Sequence, residues 1–290
     1  MSGSVDEARP GPSVALVAGA SSGIGAATAV ALAAPGTSVA LVGRRAAELA
    51  ETAAAVRARG GRALELRVDL GADDGPAEAV SRTEAELGPV DLLVCSAAAI
   101  RLSRVHETDP RHWERQLRLN LTVPFLLARL VLPGMRARRR GWIVNIGSGV
   151  GAEVVPGSGA YGVSKHALNR LTELIHQENR DHGIRAVAVS PGWVDTRLAA
   201  RPEGLGVERE ELLTPEDIAE TVAWLVSRPA RVSTGPLLRV EPTAGRADAA
   251  AAMTRHLALA SGESGGSGGP GGSGESGASG ESGERENGTR

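Results

Sequence analysis

Val14-Ala15-Leu16-Val17-Ala18-Gly19-Ala20-Ser21-Ser22-Gly23-Ile24-Gly25 runs from a continuous apolar stretch through a turn of glycine and serine into an alanine-rich segment. An unbroken apolar run that ends in turn residues reads as a strand covered on both faces. The segment Ile24–Ala34 reads as a helix, so its first amides and the positive end of its dipole face the turn. Glycine lets the backbone turn tightly there and approach a ligand closely. Strand, glycine turn and helix in that order predict a pyrophosphate seat made by Gly19, Ser21, Ser22, Gly23 and Ile24. The spacing is Gly-x-x-x-Gly-x-Gly rather than Gly-x-Gly-x-x-Gly, but the physical requirement is the same.

The alternation continues outward from this stretch. Val14–Ala18, Ser38–Val42, Ala63–Val68, Asp91–Cys95, Trp142–Ile146, Arg185–Val189 and Leu237–Val240 read as strands. Between them Ile24–Ala34, Ala46–Arg59, Ala77–Leu87, Pro110–Arg139, Ala160–His182 and Pro215–Ser227 read as helices. The last opens on Thr214-Pro215-Glu216-Asp217, an N-cap, a proline at the first helical position and acids in the first turn. The pattern predicts an α/β, Rossmann-type doubly wound parallel sheet of about seven strands with helices on both faces.

Of the 290 residues, 13–245 are expected to form this single domain. Residues 1–12 read as a flexible leader, 246–260 as a short C-terminal extension, and 261–290 as a disordered Gly/Ser/Glu tail that cannot bury enough surface to order itself. Cys95 is the single cysteine, which fits a reducing, cytoplasmic setting. The net charge is −2 and lies in the glutamate-bearing tail, so the folded part has no general pull toward nucleic acid. Residues 10–43 carry no charge, yet Ser21-Ser22-Gly23 interrupts them, so a buried strand–turn–helix–strand is expected rather than a membrane span. Arg136, Arg138, Arg139 and Arg140 close a long helix and read as its solvated, dipole-complementing end. His106 and His112 have no acidic or thiol partner at ligand spacing, and no metal site is expected.

Two residues occur once each: Tyr161, and Lys165 among 32 basic residues. Four positions apart on a helix, they lie on one face, one turn on. The ammonium favours the phenolate and is expected to pull the Tyr161 pKa from near 10 toward neutrality. Such a group exchanges a proton with an alcohol or carbonyl oxygen. The second strand ends Val42-Gly43-Arg44-Arg45. An acidic residue there would hold the ribose hydroxyls of NAD, whereas glycine removes the carboxylate and guanidiniums can grip a 2′-phosphate. Arg44 is assigned to that phosphate; Arg45 either joins it or begins the next helix as a solvated side chain. NADP(H) is favoured over NAD(H).

With these residues in place, the chain resembles the short-chain dehydrogenase/reductase family, in its single-domain branch, over residues 13–245. The glycine loop carries the resemblance. So do Asp69-Leu70 after the third strand, Asn120 within Leu119-Asn120-Leu121, Ser148 thirteen residues before Tyr161, and Pro191-Gly192-Trp193-Val194-Asp195-Thr196. The resemblance implies that Asp69 and Leu70 contact adenine. It implies that Pro191, Gly192, Val194 and Thr196 hold the nicotinamide carboxamide, and Lys165 the nicotinamide ribose. Ser148 would hydrogen-bond the substrate oxygen, Tyr161 would be general acid in reduction and general base in oxidation, and Asn120 would fix a water linking Lys165 to solvent. Two segments depart from the family. Cys95-Ser96-Ala97-Ala98 replaces Asn-Asn-Ala-Gly, which leaves main-chain contacts to the cofactor, Ser96 included. Leu238-Arg239-Val240-Glu241-Pro242-Thr243 replaces an Asp-Gly-Gly ending and is similar to the branch of NADP-dependent hydroxy-acid and small-alcohol dehydrogenases.

The implied function is NADP(H)-dependent interconversion of a small-molecule carbonyl and a secondary alcohol by hydride transfer. A 3-oxoacyl-carrier-protein reductase is the alternative among enzymes. A catalytically weak NADP-sensing or scaffolding protein on the same fold is the alternative outside them. Arg197–Leu213, short and strongly charged, is expected to form a lid suited to a small or polar substrate. The resemblance also implies a homo-oligomer, tetramer or dimer, built through the helix before Arg140 and the helix carrying Tyr161. Phe125, Leu126, Leu127, Leu130, Val131 and Leu132 exceed what one sheet-facing stripe needs.

Overall fold

Val, Leu and Ala crowd the expected strands, and each forms within two residues of its expected bounds. They are β1 (Val14–Ala18), β2 (Ser38–Gly43), β3 (Arg62–Arg67), β4 (Leu92–Cys95), β5 (Gly141–Ile146), β6 (Ile184–Pro191) and β7 (Leu237–Val240). The helices are α1 (Gly23–Ala31), α2 (Ala46–Ala58), α3 (Gly75–Leu87), α4 (Pro110–Leu117), α5 (Val123–Arg138), α6 (Gly159–Asn179) and α7 (Pro215–Val226). This is a computed structural model, and it describes residues 12–196, 211–229 and 232–243. The leader before Pro12, most of the expected lid Arg197–Leu213, the extension 246–260 and the tail 261–290 lie outside the described residues.

All neighbouring strands are parallel, in the order β3-β2-β1-β4-β5-β6-β7. The order reverses between β1 and β4, which opens a crevice at the carboxyl ends of those two strands. Successive strand residues face opposite sides. Ala15, Val17, Leu41 and Val94 therefore pack with α1, α2 and α7, while Leu16, Val42, Leu93 and Ile143 pack with α3 and α5 on the other face. Leu16, Leu41, Leu93 and Ile143 are fully buried, each contributing roughly 2 kcal/mol. The sheet is covered on both faces, as its continuous apolar runs require. α7 begins with a complete capping box, Thr214 accepting from the Asp217 amide while Asp217 accepts from the Thr214 amide.

Two expectations need correction. The stretch Pro110–Arg139 is not one helix: α4 passes into a wide π turn, Arg118–Thr122, before α5 begins. Pro124 has no amide to offer the carbonyl of Asn120, and its ring crowds that carbonyl, so the turn ahead of it widens. By length and composition Pro110–Arg138 could cross a membrane, but Val123, Leu127, Val131 and Met135 lie in the core against the sheet. The arginines at the end of α5, for their part, are not simply solvated. Arg140 donates to Asp91 Oδ2 at 2.7 Å, and Arg138 donates to the Val90 carbonyl at 2.8 Å. Arg136 donates to Asn179 Oδ1 and Arg139 to the Asp181 carbonyl, each at 2.7 Å. Ser13 Oγ donates to the same Asp91 carboxylate at 2.6 Å. Burial alone would raise the Asp91 pKa, but the bonds from Ser13 and Arg140 and the charges of Arg140 and Arg138 hold it below the usual value.

Candidate active site

All seven strands send their carboxyl ends to one cavity of about 530 Å³. The turn after β1 enters it first. Gly19 has φ +88°, and a Cβ there would stand 2.6 Å from the Ala97 amide nitrogen, so only glycine lets this turn press against the segment after β4. Ser21, Ser22, Gly23 and Ile24 follow along the wall, leading into the N-terminus of α1. Backbone amides and a helix dipole at that point suit an anionic pyrophosphate.

At the end of β2 lie Gly43, Arg44 and Arg45. A side chain at position 43 would collide with Ser21 Oγ. Arg45 reaches back to the glycine turn, donating to Ser22 Oγ at 2.8 Å, and pairs with Glu48 at 3.2 Å. Arg44 stands 3.9 Å from the Asp69 carboxylate, both largely exposed. Two guanidiniums on one side of the turn, with no acidic side chain at 43, form a donor set that fits a 2′-phosphorylated dinucleotide. Asp69, Leu70 and Ser96 continue the wall.

Ser148, Tyr161 and Lys165 meet in the middle of the cavity, beside Pro191, Gly192, Val194 and Thr196. Ser148 follows β5, while Tyr161 and Lys165 share the inner face of α6. The Ser148 hydroxyl stands near enough to the Tyr161 phenol to lower its pKa. Lys165 is buried, and its Nζ donates to the Ile146 carbonyl at 2.7 Å and lies 5.8 Å from the centre of the Tyr161 ring. The expected direction of the tyrosine's shift is reversed. Burial pushes the Tyr161 phenol above its usual value, and Ser148 only partly offsets this. Burial also pulls Lys165 down to about 8, a shift that nearby Cys95 resists. Burial and Ser148 account for the Tyr161 shift, and the Lys165 charge from which the opposite direction was expected is not among its causes. Cys95 itself is pushed up to about 12 by burial, so it stays a thiol.

Asn120 does not line the cavity; the π turn places it behind the wall, buried. Its Oδ1 accepts from the Ala99 amide at 2.8 Å, and its Nδ2 donates to the Ala99 carbonyl at 2.9 Å and to Ser164 Oγ at 3.0 Å. Ser164 in turn donates to the Tyr161 carbonyl at 2.8 Å. One side chain therefore ties the segment after β4 to the helix carrying Tyr161 and Lys165. The anchor falls on Ala99, the residue after Cys95–Ala98, and within that segment the Ser96 amide donates to the Ala18 carbonyl.

The sequence reading passed over the other end of the cavity. Val150, Glu153, Val155, Trp193, Arg239 and Glu241 line it there, and Leu119 lines it beside Asn120. Glu153 and Val155 follow Ser148 in a stretch without a recognisable motif. Glu241 was accessible in principle, because it follows β7 and every strand of such a sheet points its carboxyl end at the site.

The chain matches the family model described as short chain dehydrogenase over residues 13–203. It is 35% identical over 221 residues to an uncharacterized oxidoreductase of Staphylococcus saprophyticus, covering 76% of this chain and 93% of that one. It is 36% identical to the cis-4-hydroxycyclohexanecarboxylate dehydrogenase of Sinomonas cyclohexanicum, covering 79% and 94%. A crystal structure of a metagenomic short-chain oxidoreductase in complex with NADP superposes with a TM-score of 0.69 at 34% identity, covering 79% of this chain and 97% of that one. The parallel sheet, the glycine turn opening a helix and these matches agree: the chain belongs to the short-chain dehydrogenase family, as an NAD(P)-dependent oxidoreductase acting on CH–OH groups.

Proposed function

We propose that this chain is an NADP(H)-dependent oxidoreductase that interconverts a small carbonyl compound and its secondary alcohol, with Tyr161 as general acid and base. The observation that carries the reading is the meeting of Ser148, Tyr161 and buried Lys165 in one cavity, with Lys165 Nζ 5.8 Å from the centre of the Tyr161 ring. Bound NADP(H) supplies or accepts the hydride. In reduction, Tyr161 passes its phenolic proton to the substrate oxygen while the Ser148 hydroxyl hydrogen-bonds that oxygen as charge develops on it. In oxidation, Tyr161 takes the proton back. Lys165 would keep positive charge beside the phenol and hold the nicotinamide ribose. Asn120 acts by holding Ala99 and Ser164, and so the helix under Tyr161. Asp69, Leu70 and Ser96 would receive the adenine half, and Pro191, Gly192, Val194 and Thr196 the carboxamide.

NADP(H) is favoured over NAD(H) because Arg44 and Arg45 flank the glycine turn and Gly43 leaves no carboxylate at the end of β2 to repel a 2′-phosphate. The NADP-bound relative supports the same preference. The single cysteine, buried and unpaired, suits a cytoplasmic setting. A homo-oligomer would cover Phe125 and Leu130 on α5 and Val163 and Leu174 on α6, which are exposed; sedimentation at micromolar concentration tests it, and a species near the chain mass of 29.7 kDa would reject it. The catalytic reading is tested by following NADPH and NADH oxidation against a panel of ketones. Ketone-dependent NADPH oxidation is expected, and its absence from a broad panel would sink the reading.

A further inference from the structure

At the β7 end of the cavity Arg239 is held between two carboxylates. Its Nη1 donates to Glu153 Oε1 at 2.6 Å, and its Nε and Nη2 donate to Glu241 Oε1 at 3.1 and 2.8 Å. All three residues line the cavity. Glu241 stands close to the reacting region. A Cβ built on Gly192 would lie 2.5 Å from its Oε2, and one built on Gly149, the neighbour of Ser148, 3.8 Å from its Oε1. Among the described residues lining the cavity, the other cations are Arg44 and Arg45 at the β2 end and Lys165, which is buried and bonded to Ile146. Among the described residues the β7 end therefore presents two carboxylates and one guanidinium that both carboxylates already engage.

We infer that the Glu153–Arg239–Glu241 triad sets the substrate class of this site: it admits uncharged or cationic carbonyl and alcohol compounds and turns away carboxylates and other anions. The inference rests on the carbonyl–alcohol reading above. An entering anion meets Glu241 and Glu153 at short range, and recruiting Arg239 would break charge-assisted hydrogen bonds to both. Discrimination of this kind comes from a built-in repulsion rather than from an added contact. An ammonium group would instead gain the second oxygens of both glutamates. A neutral compound meets neither effect.

The test is NADPH-linked reduction, at low ionic strength, of three compounds that share one ketone but differ in charge: acetoacetate, acetoacetamide and acetonyltrimethylammonium. In the wild type, kcat/KM for the amide is expected to exceed that for acetoacetate by about tenfold or more. The ratio should shrink in Glu153→Gln and Glu241→Gln, widen in Arg239→Gln, and fall with added salt. Glu153 is 54% exposed, so its variant remains informative even where Glu241→Gln fails to fold. A ratio that neither the variants nor salt move, or acetoacetate as the preferred substrate, would overturn the charge assignment while leaving the oxidoreductase reading intact. No reduction of any compound, in this series or in the broad ketone panel, would overturn the oxidoreductase reading and this inference with it.

Discussion

Arg138 and Arg140 converge on Asp91 at the amino edge of the sheet, whereas Arg44 and Arg45 flank a cavity at its carboxyl edge. Both pairs follow a strand or helix end and carry the same charge. At the amino edge the guanidiniums are bonded to a buried carboxylate and to main-chain carbonyls, so they hold the molecule together. At the carboxyl edge they bond only to partly exposed groups of the glycine turn, Glu48 and Asp69. The parallel strands separate these roles. Their amino ends bind the fold, and their carboxyl ends open on the site. Substitutions at the two edges should therefore fail in opposite ways.

The largest effect is expected from Tyr161→Phe, which keeps the ring and removes the acid. Turnover should fall about 10²–10⁴-fold with cofactor affinity and melting temperature nearly unchanged, and single-turnover kinetics with a cofactor titration checks both. At the opposite edge, Asp91→Ala should cost about 2–3 kcal/mol, because it strands Arg138 and Arg140 beside a buried site, tempered by their partial exposure. Kd for cofactor should not move. Urea unfolding alongside that titration breaks the comparison if the affinity changes instead.

Lys165→Met separates the edges most directly, since it should lower turnover yet stabilise the fold. The folded pKa is lowered from 10.5 to about 8, so the buried ammonium destabilises the wild type below pH 8. The penalty fades as pH rises from 8 to 10.5, where the unfolded chain also loses the proton. A gain on the order of 1–3 kcal/mol at pH 7, shrinking toward pH 10, is the expected unfolding result. Replacing Arg44 and Arg45 together by alanine should weaken NADPH binding about 10–100-fold and NADH binding little, from the loss of two charge-assisted contacts. Equal losses for both cofactors would remove the phosphate assignment.

The smallest effect concerns His176, whose Nδ1 accepts from the Ala186 amide at 3.3 Å. Burial first, and the nearby Arg180 second, lower its pKa, so the neutral ring is the native form. Stability should then decline as pH falls below 6.5 toward the folded value, by less than about 1 kcal/mol, and His176→Gln should flatten that slope in thermal melts.

The strands and the glycine turn were legible because period and turn chemistry are local. Each apolar run became a strand, and the cavity gathers every residue assigned to it from sequence except Asn120, which stands behind its wall. The π turn was not legible as such, although Pro124 is its physical cause; helical periodicity hides a single widened turn. The direction of the Tyr161 shift was not legible because sequence spacing reveals a neighbouring lysine but not the burial that sets the phenol's pKa. The Glu153–Arg239–Glu241 triad joins residues up to 88 positions apart, and only the return of β7 to the sheet edge brings them together.

Ser21 Oγ occupies the space that a side chain at Gly43 would need. That hydroxyl ends a short rotatable side chain, so a residue larger than glycine at 43 is admitted only when Ser21 turns aside. The end of β2 and the glycine turn after β1 thus behave as one joint. A substitution at either position is felt at the other, and the two are best varied together.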